Sequence, residues 1–187
     1  GGVADHKHLF QNNHHYITFS TAGEGMGGEL LLLKLDADFN RVGFTTVVQG
    51  APPTNDMFMV GDGSGVHVGK FLPGRGHEVY SFDADLNPTG NTPIGDGPDW
   101  RHANGASAAY HDGRFVVVAP QTLAPGDGDA FYRLVYDDQW RGLEFRKTIL
   151  EEPSMLGIVS ALSLDPNSGA WLIHYAYSKE DYGGDLR

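Results

Sequence analysis

Residues 29–43 read ELLLLKLDADFNRVG, and residues 78–90 read EVYSFDADLNPTG. Each is an apolar strand running into Asp-Ala-Asp, an apolar residue and Asn, followed by a turn and a second strand. A third version, FYRLVYDDQWRGLE, occupies residues 131–144. The shared aspartates Asp36, Asp83 and Asp137 stand 47 and 54 residues apart. An earlier strand keeps similar spacing: Tyr16-Ile-Thr-Phe, Val66-His-Val-Gly, Phe115-Val-Val-Val and Trp171-Leu-Ile-His begin 50, 49 and 56 residues apart. Polar turns precede them at Asn12-Asn13, Asp62-Gly63, Asp112-Gly113 and Asn167-Ser168-Gly169, with another apolar strand before each.

Four strands in about 50 residues is the period of a β-propeller blade. Within the strands the side chains alternate: Ala130, Tyr132, Leu134 and Tyr136 fall on one side of theirs. Period two marks strand, not helix. The 26 glycines of the 187 residues, about twice the usual share of roughly 7%, punctuate short apolar stretches as many turns require. The expected fold is an all-β propeller in one domain, residues 1–187. Its blade-like units are residues 4–54, 55–100, 101–155 and 156–187, the last one incomplete. Three and a half blades predict a fragment of a five-bladed or larger propeller, or a homo-oligomer in which another copy covers the open blade edge. A β-sandwich or a single barrel would also use many short strands, but neither explains a hairpin recurring at this period.

Thirteen basic against 24 acidic residues give a formal charge of −11. Such an excess opposes nucleic acid, whose phosphates need clustered Lys and Arg, and opposes an anionic membrane surface. With no cysteine, disulfides, thiolate metal sites and a Cys nucleophile are excluded. That absence suits an oxidising or a reducing compartment alike; a secreted or periplasmic location is slightly favoured. Apolar runs such as Leu30–Leu33 are far short of the ~20 residues of a membrane-spanning helix.

Inner strands of propeller blades run beside a central axis, so residues at their starts meet at one mouth. Asp5, His6 and His8 stand at the first start, Asp56 at the second, and Trp100, Arg101, His102, Asn104 and Ser107 at the third. These positions are polar where strand propensity favours apolar residues, which is where a site is expected. Paired carboxylates suit glycoside hydrolysis, one protonating the leaving oxygen while the other activates water or attacks. Arg101 can hold a carboxylate ionised or bind a sugar carboxylate bidentately, and Trp100 can stack on a sugar ring. The expected partner is therefore a carbohydrate or other small polar ligand. No cofactor is expected, and no metal is assigned. The alternative metal set is His6, His8 and His102, because imidazoles two apart on a strand point the same way.

The blade pattern, with Asp5 and Asp56 at the inner starts, resembles the five-bladed propellers of furanosidase- and arabinanase-type glycoside hydrolases. The resemblance implies that Asp5 is the base and that Asp56 orients it and tunes its pKa. The family's third residue, a Glu acid, has no counterpart in residues 101–107; Glu151 and Glu152 come one connection later. Propellers that act as polysaccharide lyases are similar in placing histidines around the axis. A non-catalytic propeller that only binds a ligand or partner is the alternative function.

Other motifs read as structure. Asp36-Ala37-Asp38-Phe39-Asn40 and its copy at residues 83–87 open like a calcium loop. Arg41 and Pro88 then stand where Gly is needed, and Val47 and Ile94 where Glu is needed. These Asp and Asn residues are expected to bond their own turns. Trp140 and Trp171 fall in strand patterns and are expected to pack between blades.

Overall fold

A computed structural model describes the chain over residues 3–21, 28–51, 57–72, 76–94, 106–122, 129–152, 155–164 and 171–179. The chain forms two compact units, Gly1–Pro93 and Ile94–Arg187. In the first unit, β1 (Val3–Gln11), β2 (His14–Thr21), β3 (Gly28–Asp36) and β4 (Arg41–Ala51) form one antiparallel sheet in chain order. A second sheet follows with the same order: β5 (Met57–Gly61), β6 (Gly65–Leu72), β7 (Gly76–Asp83) and β8 (Pro88–Ile94). Pro88 and Pro93 sit in β8, an edge strand, the place in a sheet where proline is tolerated. The second unit holds a sheet of β9 (Ser107–His111), β10 (Arg114–Thr122), β11 (Asp129–Asp137) and β12 (Gly142–Glu152). Beyond it, β13 (Met155–Leu164) pairs with β14 (Trp171–Lys179). Among the described residues, three four-stranded meanders and a two-stranded sheet therefore match the three and a half blades expected.

Two turn types, each readable in the residues, set the registers. Asn12 and Asn13 have φ of 51° and 62°, and Asp112 and Gly113 have 50° and 73°. Two consecutive positive φ values make the hairpin turn whose twist suits antiparallel strands, and Asn, Asp and Gly tolerate them best. The second type joins the third and fourth strands. Asp36 Oδ1 accepts from the N–H of Asp38 and of Asn40, both at 2.9 Å, while the Asn40 amide donates to Oδ2 at 3.1 Å. Asp83 repeats this with Asp85 and Asn87, and Asp137 with Gln139 and Arg141. The apolar residue of each turn takes the left-handed conformation: Phe39 at 64°, Leu86 at 66° and Trp140 at 60°. Trp140, read from sequence as a strand residue, is thus a turn residue, stacked on Phe115 with ring centroids 4.0 Å apart.

Because His14 pairs with Asp36, Gly65 with Asp83 and Arg114 with Asp137, the three sheets superpose residue by residue. Phe10, His15 and Phe39 then correspond to Gly61, Val66 and Leu86, and to Tyr110, Phe115 and Trp140. These residues mark the leading face of each sheet; Leu9, Tyr16 and Lys34 mark the trailing face of the first. In the first unit the trailing face of one sheet packs on the leading face of the next. Tyr16, Leu30 and Leu32 meet Met57, Val66, Val68, Phe82 and Leu86 in a single apolar cluster. The approach is close enough to need glycine at Gly61, where a Cβ would collide with Gln11 and Leu9. In the second unit Val116, Val118 and Val135 meet Leu162 and Ile173 in the same way.

A polar row braces the turn between β5 and β6. Asp62 Oδ1 accepts from Ser64 N (2.8 Å), Ser64 Oγ (2.9 Å) and Gly65 N (2.7 Å). The buried His67 ring spans from Asp62 Oδ2, 3.2 Å from Nε2, to Ser81 Oγ, 2.8 Å from Nδ1. Burial is the largest influence on His67 and lowers its pKa, outweighing the upward pull of Asp62. For Asp62, burial raises the pKa, but the bonds from Gly65, Ser64 and His67 together hold it below the usual carboxylate range.

Two outcomes follow from these contacts. Leu86 is 5% exposed and Phe39, at the same repeat position, is 64% exposed. Leu86→Ala should cost about 2–4 kcal/mol in denaturant unfolding, whereas Phe39→Ala should cost about 1 kcal/mol or less. Equal losses would contradict the seam. A histidine with a lowered folded pKa binds fewer protons folded than unfolded, so its contribution is complete above its ordinary pKa of roughly 6.5. That contribution fades as pH falls below this value. His67→Gln should therefore flatten the decline in melting temperature between about pH 7 and pH 5; an unchanged slope would assign the decline to other groups.

Candidate functional site

The first strands of the two sheets in the first unit are held in step at their turn ends. Gln11 Nε2 donates to Gly65 O at 3.0 Å, and Gly63 N donates to Gln11 Oε1 at 3.0 Å. Asn12 Nδ2 donates to Gly63 O at 2.7 Å. With both turn ends clasped, β1 and β5 run the same way, and their openings fall at the opposite end of the unit. There His6 stands opposite Phe19 and Met57 opposite Lys70, which makes His6 and Met57 equivalent positions. In the sequence Asp5 precedes the first and Asp56 the second.

The remaining sequence-predicted residues fall out unevenly. Asp5 lies in β1, but only its backbone is described. Asp56, Trp100, Arg101, His102 and Asn104 lie outside the described residues. Ser107 opens β9, half-buried, opposite Val118. His6 and His8 are exposed and share one face of β1 with Phe10, as their spacing required. His8 Nε2 lies 2.9 Å from His15 Nδ1, and the His15 ring stacks on Phe39 at 4.2 Å, so His8 belongs to an aromatic row on the leading face. Among the described residues there is no group of three His, Asp or Glu side chains placed to hold a metal ion.

Behind Met57 lies a pair that periodicity concealed. Lys70 is fully buried on β6, in register with the buried Glu78 of β7. Glu78 Oε2 accepts from Tyr80 Oη at 2.7 Å and from Asn91 Nδ2 at 3.2 Å. Buried charges are costly unless they are bonded or paired, so their presence at the strand openings marks this end as chemically distinct. The sequence signal was present: Lys70 interrupts the apolar run Gly65–Leu72, and Glu78 occupies an inward position of β7. Both pass unnoticed when a strand is scored only by its average alternation.

Other acidic residues are committed elsewhere. The side-chain bond from Asn40, then the backbone bond from the same residue, hold Asp36 below the usual carboxylate range, and Asn87 does the same for Asp83. These carboxylates serve the turns, as expected, and are unavailable for proton transfer. The Asp62–His67–Ser81 row has the residue types of a hydrolytic triad. Asp62 Oδ1 is occupied by its turn and His67 is buried, so the row braces the hairpin.

No protein-family model matches the sequence, and no curated protein matches it. Among solved structures the chain is similar to a GH43 protein of Bacillus licheniformis, at 13% identity and a TM-score of 0.61. That likeness covers 95% of this chain and 37% of the Bacillus protein. It is also similar to a GH43 beta-xylosidase/alpha-arabinofuranosidase from a compost microbial metagenome, in complex with xylotriose, at 10% identity and a TM-score of 0.53. Here 96% of this chain and 71% of the other are covered. Pyrococcus horikoshii acylaminoacyl peptidase is similar at 13% identity and a TM-score of 0.51, over 95% of this chain and 31% of the peptidase. The chain thus spans about a third of the length of two of these proteins. At such identities the likeness shows fold alone: the chain is an all-β polypeptide of the β-propeller class, resembling five-bladed GH43 propellers.

Proposed function

We propose that the openings of the first strands form the mouth of a carbohydrate-active propeller. Asp5 and Asp56 supply its carboxylates, and His6, His8, Trp100, Arg101, His102, Asn104 and Ser107 line it. The observation that supports this reading is the common register of β1 and β5, in which His6 and Met57, the residues that follow Asp5 and Asp56 in the sequence, are equivalent. In this arrangement Asp5 acts as base toward water, and Asp56 orients it and keeps it charged. The ligand class is an oligosaccharide of pentoses, by analogy of fold with the xylosidase/arabinofuranosidase solved with xylotriose.

A second reading, binding without cleavage, has its own observation. Ala106 is the register equivalent of His6 and Met57, because Ser107 pairs with Val118, and the residue before it is Gly105. The third repeat therefore brings no carboxylate to that position, and an acid for the leaving group has no assigned residue.

Xylotriose and arabino-oligosaccharides should raise the melting temperature of the chain, because a ligand bound only by the folded state stabilises it. Asp56→Asn should remove any release of reducing sugar while leaving the melting temperature of the free protein within a few degrees, on the order of a surface substitution. A ligand-induced shift without product would select the binding reading. A folded chain with neither shift nor product would end both.

A further inference from the structure

An aspartate followed by glycine carries a reaction inside its own chain. The glycine nitrogen, with no side chain beside it, can close a five-membered ring on the aspartate Cγ. Two such pairs stand among the described residues, Asp62-Gly63 between β5 and β6 and Asp112-Gly113 between β9 and β10. Asp96-Gly97 and Asp127-Gly128 lie outside the described residues. Both described pairs join the first two strands of a sheet, and open space adjoins each glycine where a Cβ would stand. They differ in what holds the reacting atoms.

At Asp62 both partners of the reaction are engaged. Oδ1 accepts from Ser64 N, Ser64 Oγ and Gly65 N, and Oδ2 lies 3.2 Å from His67 Nε2. Burial raises the Asp62 pKa, but the bonds from Gly65, Ser64 and His67 outweigh it. The group is thereby kept as a carboxylate, a form with no hydroxyl to lose. The Gly63 nitrogen, which would attack, donates to Gln11 Oε1 at 3.0 Å. The Asp112 turn has none of these restraints. Asp112 is exposed and its side chain makes no hydrogen bond or ion pair among the described residues, and no side chain accepts from Gly113 N. Asp112 also lines an open cavity of about 620 Å³ together with His111 and Arg114, so water reaches the turn.

We propose that Asp112-Gly113 is a self-modifying turn, at which the chain converts its own aspartyl linkage to an isoaspartyl one. Gly113 N bonds to Asp112 Cγ of the neutral carboxyl, the Cγ–OH bond breaks, and the hydroxyl leaves as water with the amide proton. Nothing is oxidised or reduced. Water then opens the succinimide at the Asp112 backbone carbonyl carbon. The main chain afterwards runs through Cβ and Cγ, and the α-carboxylate is released as a side group; opening at Cγ instead restores aspartate. The β-linkage adds one main-chain carbon to a turn whose φ values of 50° and 73° set Arg114 opposite His111. The modified turn therefore loosens the end of the β9–β10 pairing. Its free α-carboxylate is the group that methyltransferases specific for isoaspartyl residues would recognise.

The folded 187-residue chain is incubated for several weeks at mildly acidic pH and then digested. The linkage at each site is read by electron-transfer fragmentation, which cleaves the Cα–Cβ bond of a β-linked residue. β-Linkage should accumulate at Asp112, and at least about tenfold more slowly at Asp62, where several accepted bonds must first be released. In denaturant, where neither turn is held, the two sites should react at similar rates. Asp112→Glu, which keeps the charge but would need a six-membered ring, should abolish the signal at this turn. Gln11→Ala, which releases Gly63 N, should speed the reaction at Asp62 and leave Asp112 unchanged. Equal rates at the two sites in the folded chain would overturn the proposal. So would a folded chain that forms no β-linkage at Asp112, whether or not the denatured chain forms it.

Discussion

The first unit depends on one apolar seam, where the trailing face of β1–β4 lies on the leading face of β5–β8. A four-stranded meander alone exposes two faces and cannot bury enough apolar surface to offset its ordering entropy. The seam removes Tyr16, Leu30, Leu32, Met57, Val66, Val68 and Phe82 from water together. Everything at the edges is subordinate to that contact. Gly61 lacks a side chain so that Gln11 and Leu9 can approach, and Gln11 and Asn12 reach across to satisfy the backbone of the neighbouring turn. Alignment of β1 with β5, and with it the shared placement of the strand openings, is a by-product of packing.

The same seam explains why equivalent residues meet different fates. Leu86 and Phe39 occupy one repeat position with nearly identical backbone angles, yet Leu86 is core and Phe39 is surface. Phe10, Val42 and Phe44 are likewise exposed around Phe39. The difference is not in the local sequence, which is Asp-Ala-Asp-apolar-Asn in both. It lies in whether a trailing face of a preceding sheet covers the turn among the described residues. Trp140, at the third copy, is buried and stacked on Phe115, while Phe39 stacks on the half-buried His15.

Carboxylates divide by the same logic. Asp36, Asp62, Asp83 and Asp137 accept two or more bonds from their own turns. Each is consumed in making a hairpin, and hydrogen bonds to the charged form keep it charged. Glu78 is different, since its bonds come from Tyr80, two residues along the same strand, and from Asn91 of β8, and it stands in register with a buried lysine. Strands normally hide their charges in water; Lys70 and Glu78 are held inside by the seam.

Much of this molecule was written locally. A hairpin period near 50 residues, alternation within strands, and Asn-Asn, Asp-Gly and Asp-Ala-Asp turns determined the meanders and the places of their turns, because turn chemistry and period-two patterning act over a few residues. The turn position of Trp140 was missed because Asp-Asp-Gln-Trp-Arg hides the repeat that Asp-Ala-Asp-Phe-Asn displays. Two matters were decided only by the tertiary structure: the burial of Lys70 and Glu78, and the glycine at position 61. Each depends on what a neighbouring sheet places against a face, and a side chain's own strand holds no record of the surface that will cover it.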